Sequence, residues 1–259
     1  MSWLRHCCVR VVLPGFMLFA GPSGAAGPVS GYDFLTPETQ AMQDDDFENP
    51  GMVAVEEGAA LFRERRSGEE HACADCHGSD GGKLDKRQLA SYPQFDSNPG
   101  ELVTLQDRIR RCWDSNMGRS PLKYDHPDLV ALETYVRYLA RGETVNVTTD
   151  GPVSELLKEG EQLYRTRYGQ IDMSCYHCHV QHQGQMLRGQ KLSQGQANGF
   201  PEYRLAKGSI TSLHQRLRQC FTAFRAEPFK PGSREYKLLE LYVMSRGNGL
   251  KIETPAIRF

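Results

Sequence analysis

The pentapeptides Cys73-Ala74-Asp75-Cys76-His77 and Cys175-Tyr176-His177-Cys178-His179 stand 102 positions apart and constrain this chain more than any other feature. In Cys-x-x-Cys-His the two thiols are spaced to form thioethers with the vinyl groups of a haem, and the adjacent histidine reaches the iron as an axial ligand. A zinc knuckle or a redox dithiol is the competing use of a Cys-x-x-Cys pair. Two copies, each followed directly by histidine inside a longer repeat, favour two covalently bound haem c groups. Cys73, Cys76, Cys175 and Cys178 are then the attachment points, and His77 and His179 the iron ligands.

The repeat runs well beyond the motifs. Gly58 to Arg65 matches Gly160 to Arg167 at the same offset. After a six-residue insertion, Tyr92-Pro93 matches Phe200-Pro201, and Leu105, Arg108, Arg110 and Cys112 match Leu213, Arg216, Arg218 and Cys220, all at an offset of 108. Glu133 to Val136 matches Glu240 to Val243 at 107. Apolar spacing and capping residues predict helices over Val53–Arg66, Val153–Arg167, Glu101–Cys112 and Ser209–Phe221, the last with Ser209 as its cap. Asp125-His126-Pro127 opens another through Leu139, and Ser233 opens one through Arg246. Gly58 and Gly160 fit points where a second helix comes close, and Phe62, Tyr135, Tyr164 and Tyr242 read as the core of that crossing. Neither half shows an alternating run of strand-forming residues. The expected fold is all-α, with two tandem cytochrome c-type domains that each carry one covalently attached haem.

Arg5 and Arg10, the apolar run Val11 to Ala20 and the small residues up to Ala26 read as a secretory signal over 1–26. That leader places the mature chain of about 233 residues in the periplasm, with room for two small domains. A 27–50 extension is expected to form an extended arm whose Asp44-Asp45-Asp46 run is solvated. The domains follow at 51–142 and 153–259, with a 143–152 linker containing Val-Thr-Thr-Asp-Gly. A formal net charge of −1 gives no support for nucleic-acid binding, and no apolar run is long enough to span a membrane.

Of the 8 cysteines, Cys7 and Cys8 fall in the leader and four serve the haem motifs, which leaves Cys112 and Cys220. Methionine is the usual distal ligand of an electron-carrying haem. Yet Met117, Met173 and Met186 do not stand at equivalent places in the two halves, and Met117 falls opposite Phe224 or Arg225. Cysteine does repeat, so Cys112 is assigned to the first iron and Cys220 to the second, each facing its motif histidine. A disulfide between the two, or ligation by His126, His182 or His214, are the competing readings; those histidines lack repeat partners and read as surface residues.

The two haem motifs, the paired Arg-x-Arg-x-Cys elements, the stretch from Cys220 to Phe229, Pro231-Gly232-Ser233 and Ser245 to Gly249 together resemble the SoxA family. Its members are dihaem subunits of periplasmic SoxAX cytochromes in bacterial sulfur oxidation. The resemblance spans nearly the whole mature chain and is most specific around Cys220. Some members lack the first haem motif, whereas this sequence has both. The resemblance implies an L-cysteine S-thiosulfotransferase that joins thiosulfate to a cysteine of a SoxYZ-like carrier. Two electrons then leave through a small monohaem SoxX-like subunit to an external cytochrome c. It implies further that Cys220 is the catalytic ligand, found as a persulfide, and that Arg216 contacts substrate.

These residue types suit that chemistry. Thiosulfate is a dianion with a soft terminal sulfur, so its site needs fixed cations and a sulfur-reactive group. Arginine offers permanent charge and a forked donor face, and a persulfidated cysteine exchanges sulfur bonds. Arg216 and Arg218, matched by Arg108 and Arg110, also fit a haem-propionate role shared by both halves. Arg225 and Arg246 are cationic only in the second half and are candidate additions to the anion site. Two other functions stay open: a tetrathionate-forming thiosulfate dehydrogenase, and a plain dihaem electron carrier.

Overall fold

The computed structural model describes residues 27–65 and 71–259. The expected leader at 1–26 and the predicted helix end at Arg66 lie outside the described residues.

In the first half, α1 (Pro37–Asp44) precedes α2 (Met52–Arg63), the haem-motif helix α3 (Cys73–His77) and α4 (Lys86–Leu89). A hairpin of β1 (Gln94–Asp96) and β2 (Glu101–Val103) leads into α5 (Leu105–Ser115) and α6 (Pro127–Leu139). In the second half, α7 (Val153–Arg165) is followed by a π-helical turn at His177–Gln181 and a small hairpin of β3 (Met186–Leu187) and β4 (Gln190–Lys191). The hairpin of β5 (Glu202–Arg204) and β6 (Ser209–Thr211) then precedes α8 (Leu213–Ala223), α9 (Arg234–Ser245) and β7 (Ala256–Arg258). Strands β1, β2 and helix α5 recur as β5, β6 and α8, each displaced by 108 residues.

In each half the helix before the haem motif crosses the last helix. α2 packs on α6 and α7 on α9, and the crossing is so tight that a Cβ at Gly58 would lie 2.1 Å from the Ala131 carbonyl oxygen. A Cβ at Gly160 would lie 2.4 Å from that of Leu238. The aromatic residues fill this crossing as expected: Phe62 meets Tyr135 edge-on at 5.3 Å between ring centres, and Tyr164 meets Tyr242 at 5.1 Å.

The structure corrects the all-α expectation, because among the described residues three small sheets punctuate a helix-rich fold. Glu101–Val103 and Ser209–Thr211 are strands rather than the first turns of helices; Gly100 (φ 91°) and Gly208 (φ 67°) shape the turns before them. The caps therefore fall at Thr104 and Ser212 instead of Ser209. Each hydroxyl accepts from the backbone N–H three residues on, while Asp107 or Gln215 accepts in return from the cap N–H. Nor is the 27–50 segment an extended arm, although Asp44 and Asp45 are exposed as expected. α1 packs on β7, Tyr32 bonds Asp44, and Asp46 takes both guanidinium nitrogens of Arg141 at 2.5 and 2.7 Å. In the 143–152 segment Val145 and Val147 are buried, held by bonds to Leu250 and Asn248.

The halves meet through buried polar contacts. Lys237 Nζ lies 2.7 Å from Asp107, Ser212 Oγ donates to Asp125, and His214 stacks on Tyr124 at 4.8 Å. His214, expected at the surface, is thus buried; its Nε2 lies 3.0 Å from Glu240, off the axis of an aligned hydrogen bond. Glu133, the repeat counterpart of Glu240, accepts from Gln106 at 2.8 Å. Burial and then the nearby Glu240 raise its carboxyl to about 8.

A carboxyl raised on folding stabilises the protonated protein fully below its unfolded pKa near 4.5, and this stabilisation disappears as pH rises through about 8. Glu133→Gln is therefore expected to flatten the stability decline between pH 5 and 8, a change on the order of 3–5 kcal/mol by denaturant melts. An unchanged pH slope would rule out Glu133 as its source.

Candidate functional site

In the first half, α3 sets Cys73, Cys76 and His77 on one wall of a cavity of about 400 Å³, and α5 brings Cys112 to it. Leu105, Leu132 and Val136 supply apolar lining. Burial pushes the Cys73 thiol up to about 11, raises Cys112, and lowers His77 below the usual imidazole range. A free thiol so raised is a poor nucleophile at neutral pH, which suits a sulfur destined for a thioether better than a redox dithiol. Met117 is also buried here, with its sulfur 3.9 Å from Cys73, whereas Met186 is exposed.

The second half repeats the set. Burial drives Cys175 up to about 12, with Cys220 the next contributor, and burial followed by Cys220 likewise raises Cys178. The two histidines of this motif part company. His177 Nδ1 sits 2.6 Å from the Ser174 hydroxyl, while His179 Nδ1 donates to the Ser193 carbonyl at 2.9 Å. That bond fixes the tautomer and leaves the Nε2 lone pair of His179 available to a metal. Burial lowers the His179 pKa. Gly195 lies flat against the ring, where a Cβ would meet Cγ at 2.7 Å.

Among the described residues no three His, Cys, Asp or Glu side chains gather as a metal cage. Each half instead offers one histidine and one cysteine beside a thiol pair. That is the donor set for a metal whose other four positions belong to a macrocycle. The buried Tyr164 hydroxyl, unpartnered beside Cys175 and Cys178, gives a bound group a further polar contact. Cys112 and Cys220 are both free, so the structure does not join them in a disulfide.

The arginines separate by position. Arg216 stands one helical turn before Cys220 on the same face of α8, half-buried, donating to Gln219 at 3.3 Å. Its counterpart Arg108 donates to the Tyr92 hydroxyl at 3.2 Å, a partner missing in the second half because position 200 is Phe. Arg246 lies over the Tyr164 ring at 4.9 Å and donates to the Gln194 carbonyl, so it braces the loop that holds His179. Arg225 is exposed at a left-handed turn after α8. A cation overlooked in the sequence is Arg204 on β5, buried and paired with Glu202 at 2.8 Å. The offset of 108 was its signal, since Asp96 stands at the matching place.

The protein-family model for the SoxA/TsdA cytochrome c domain matches residues 57–145 and again 159–252. The L-cysteine S-thiosulfotransferase subunit SoxA of Rhodovulum sulfidophilum is 44% identical over 230 residues, covering 88% of this chain and 79% of that protein. The chain belongs to the SoxA family. The SoxA subunit of Pseudaminobacter salicylatoxidans is 40% identical over 231 residues, covering 89% of this chain and 80% of its own length. The crystal structure of SoxXA from P. pantotrophus matches with a TM-score of 0.83 at 36% identity, over 90% of this chain and 87% of that one. As a SoxA-family cytochrome c fold, the chain is a haem c protein. Among the described residues no helix is long and apolar enough to cross a membrane.

Proposed function

We propose that this SoxA-family chain, an L-cysteine S-thiosulfotransferase subunit, acts in the periplasm and binds two haems. Cys73, Cys76, His77 and Cys112 would hold the first, and Cys175, Cys178, His179 and Cys220 the second. In the reaction a carrier cysteine thiol and thiosulfate form one S–S bond, giving cysteine S-thiosulfonate, one proton and two electrons. The carrier is a SoxYZ-like protein, and the electrons leave through a SoxX-like monohaem subunit to an external cytochrome c. Haem iron, when bound, takes up electrons singly and passes them on.

The chain's own residues carry the sulfur chemistry. Arg216 binds the sulfonate oxygens and so turns the terminal sulfur toward Cys220. Cys220, carrying an added sulfur, would couple through that sulfur to the terminal sulfur of thiosulfate as two electrons leave; the carrier thiol then attacks the thiosulfate sulfur, breaking that new S–S bond, releasing its proton and returning the Cys220 persulfide. Arg246 acts as a positioning residue for the His179 loop, and Arg225 is left to the surface.

The observation that carries this reading is the pairing of Arg216 with Cys220 on α8, where the side-chain partner of Arg108 has been removed. Arg216→Gln is expected to raise the thiosulfate KM by about 10- to 100-fold, the value of one charge-assisted bidentate contact. Intact-mass analysis of the carrier should show a thiosulfate adduct formed by the unaltered protein. Tetrathionate formed without carrier would favour the dehydrogenase reading instead, and an unchanged KM would remove Arg216 from the site.

A further inference from the structure

Hairpin β5–β6 differs from its counterpart β1–β2 in charge rather than shape. In the first half, Asp96 and Glu101 hold Arg111, and Tyr92 holds Arg108, so each cation has a partner. At the matching places the second half has Arg204 for Asp96, Ser209 for Glu101, Gln219 for Arg111 and Phe200 for Tyr92, with Glu202 in place of Gln94. The first half balances two cations against two anions there. The second sets Arg204 and Arg216 against Glu202 alone.

We infer that Arg204 is a second cation of the thiosulfate site, held beside Arg216 by the β5–β6 hairpin, and that the pair selects a divalent oxoanion. This rests on the reading of Arg216 and Cys220 given above.

Three observations support it. Arg204 is only 8% exposed, and a guanidinium is seldom buried to that extent without a matching anion. Glu202 supplies one carboxylate, 2.8 Å from Nη1, and that contact uses one of five N–H donors. Glu202 and Arg204 lie on the same face of β5, whose far edge is fixed by parallel pairing with β7, so the guanidinium is held on a rigid element. β6 then runs directly into the Ser212 cap of α8, which carries Arg216 and Cys220 on successive turns. The electrostatics agree: burial lowers the Arg204 pKa, Glu202 opposes this, Arg216 lowers it further and Cys220 raises it. Two guanidinium groups within electrostatic range of one thiol favour a dianion such as thiosulfate over a monoanion.

The test uses the haem-loaded protein with its cytochrome partner and a carrier. Arg204→Gln should raise the thiosulfate KM roughly 10- to 30-fold with kcat changed less than about threefold, and Arg204→Lys should recover part of the loss. Calorimetric affinity for thiosulfate should fall by a similar factor, while the second haem's potential stays fixed. A shifted potential with unchanged KM would overturn the inference, because Arg204 would then serve the haem carboxylates. Unchanged KM and potential would also overturn it. If Arg204→Gln does not fold because Glu202 is stranded, the paired change Glu202→Gln with Arg204→Gln removes both charges and reads the same quantities. If Arg216→Gln raises KM and Arg204→Gln does not, this inference alone fails. If neither does, the thiosulfate site has been placed wrongly.

Discussion

Cys220→Ala is expected to lower thiosulfate coupling by about 10³-fold or more, while Cys112→Ala leaves kcat within a few-fold. The asymmetry is informative because the two cysteines occupy equivalent places on α5 and α8, each beside its own pair of motif thiols. What differs is the charge around them. Cys220 has both Arg216 and Arg204 within electrostatic reach, whereas Cys112 has Arg108, itself engaged by Tyr92, and Arg111 is engaged by Asp96. Sulfur exchange needs a sulfur atom at position 220, and alanine provides none. Under the proposed ligation both substitutions should alter the absorption of the haem in their own half, since each would remove a donor to its iron. Full activity in Cys220→Ala would show that the sulfur chemistry takes place elsewhere. An unchanged spectrum in Cys112→Ala would point to Met117, whose sulfur already lines the same cavity.

Gly58→Ala should destabilise the folded protein by about 2–4 kcal/mol even though alanine is the better helix former. The propensity gain is about 1 kcal/mol. Against it, the new methyl would stand 2.1 Å from the Ala131 carbonyl oxygen and 2.7 Å from Tyr135 Cβ, so α2 and α6 must separate across the core of the first half. Overpacking of this kind costs about 1–3 kcal/mol where neighbours give way, and here the nearest atom is backbone. Gly160→Ala meets the Leu238 oxygen at 2.4 Å and Tyr242 Cβ at 3.0 Å, so the loss there should be smaller. Denaturant midpoints of the two variants check both size and order. A Gly58→Ala protein as stable as the original would mean the helices can part without cost.

Much of this architecture was readable in the sequence because the duplicated motif acts as an internal alignment. It placed both haem motifs, both crossing glycines and the paired cysteines before any coordinates. The hairpins were not readable in the same way. Glu101-Leu102-Val103 is too short to display alternation, and it reads equally well as the first turn of the helix behind it. The cap of α8 had a usable signal, since Gln215 stands three residues after Ser212 and completes a capping box that Ser209 cannot. His214 looked like a surface residue because its neighbours, Tyr124 and Glu240, come from other helices. Arg246 and Arg225 could not be separated by counting charges, because charge does not report which side of a bound group a side chain occupies.

Strand β7 lends one further meaning to the fold. It is the parallel neighbour of β5 and also the surface on which α1 rests, with Gln43 bonded to the Ile257 amide and the Arg258 guanidinium. Early and late parts of the polypeptide are thus sewn to one another through residues 256–258. During synthesis α1 has no strand to rest on, and the hairpin bearing Arg204 keeps a bare edge, until those three residues have emerged. Closure of the second half is therefore a late, long-range event whose loop entropy is settled last. A bulky fusion grafted directly after Phe259 would press on the same seam.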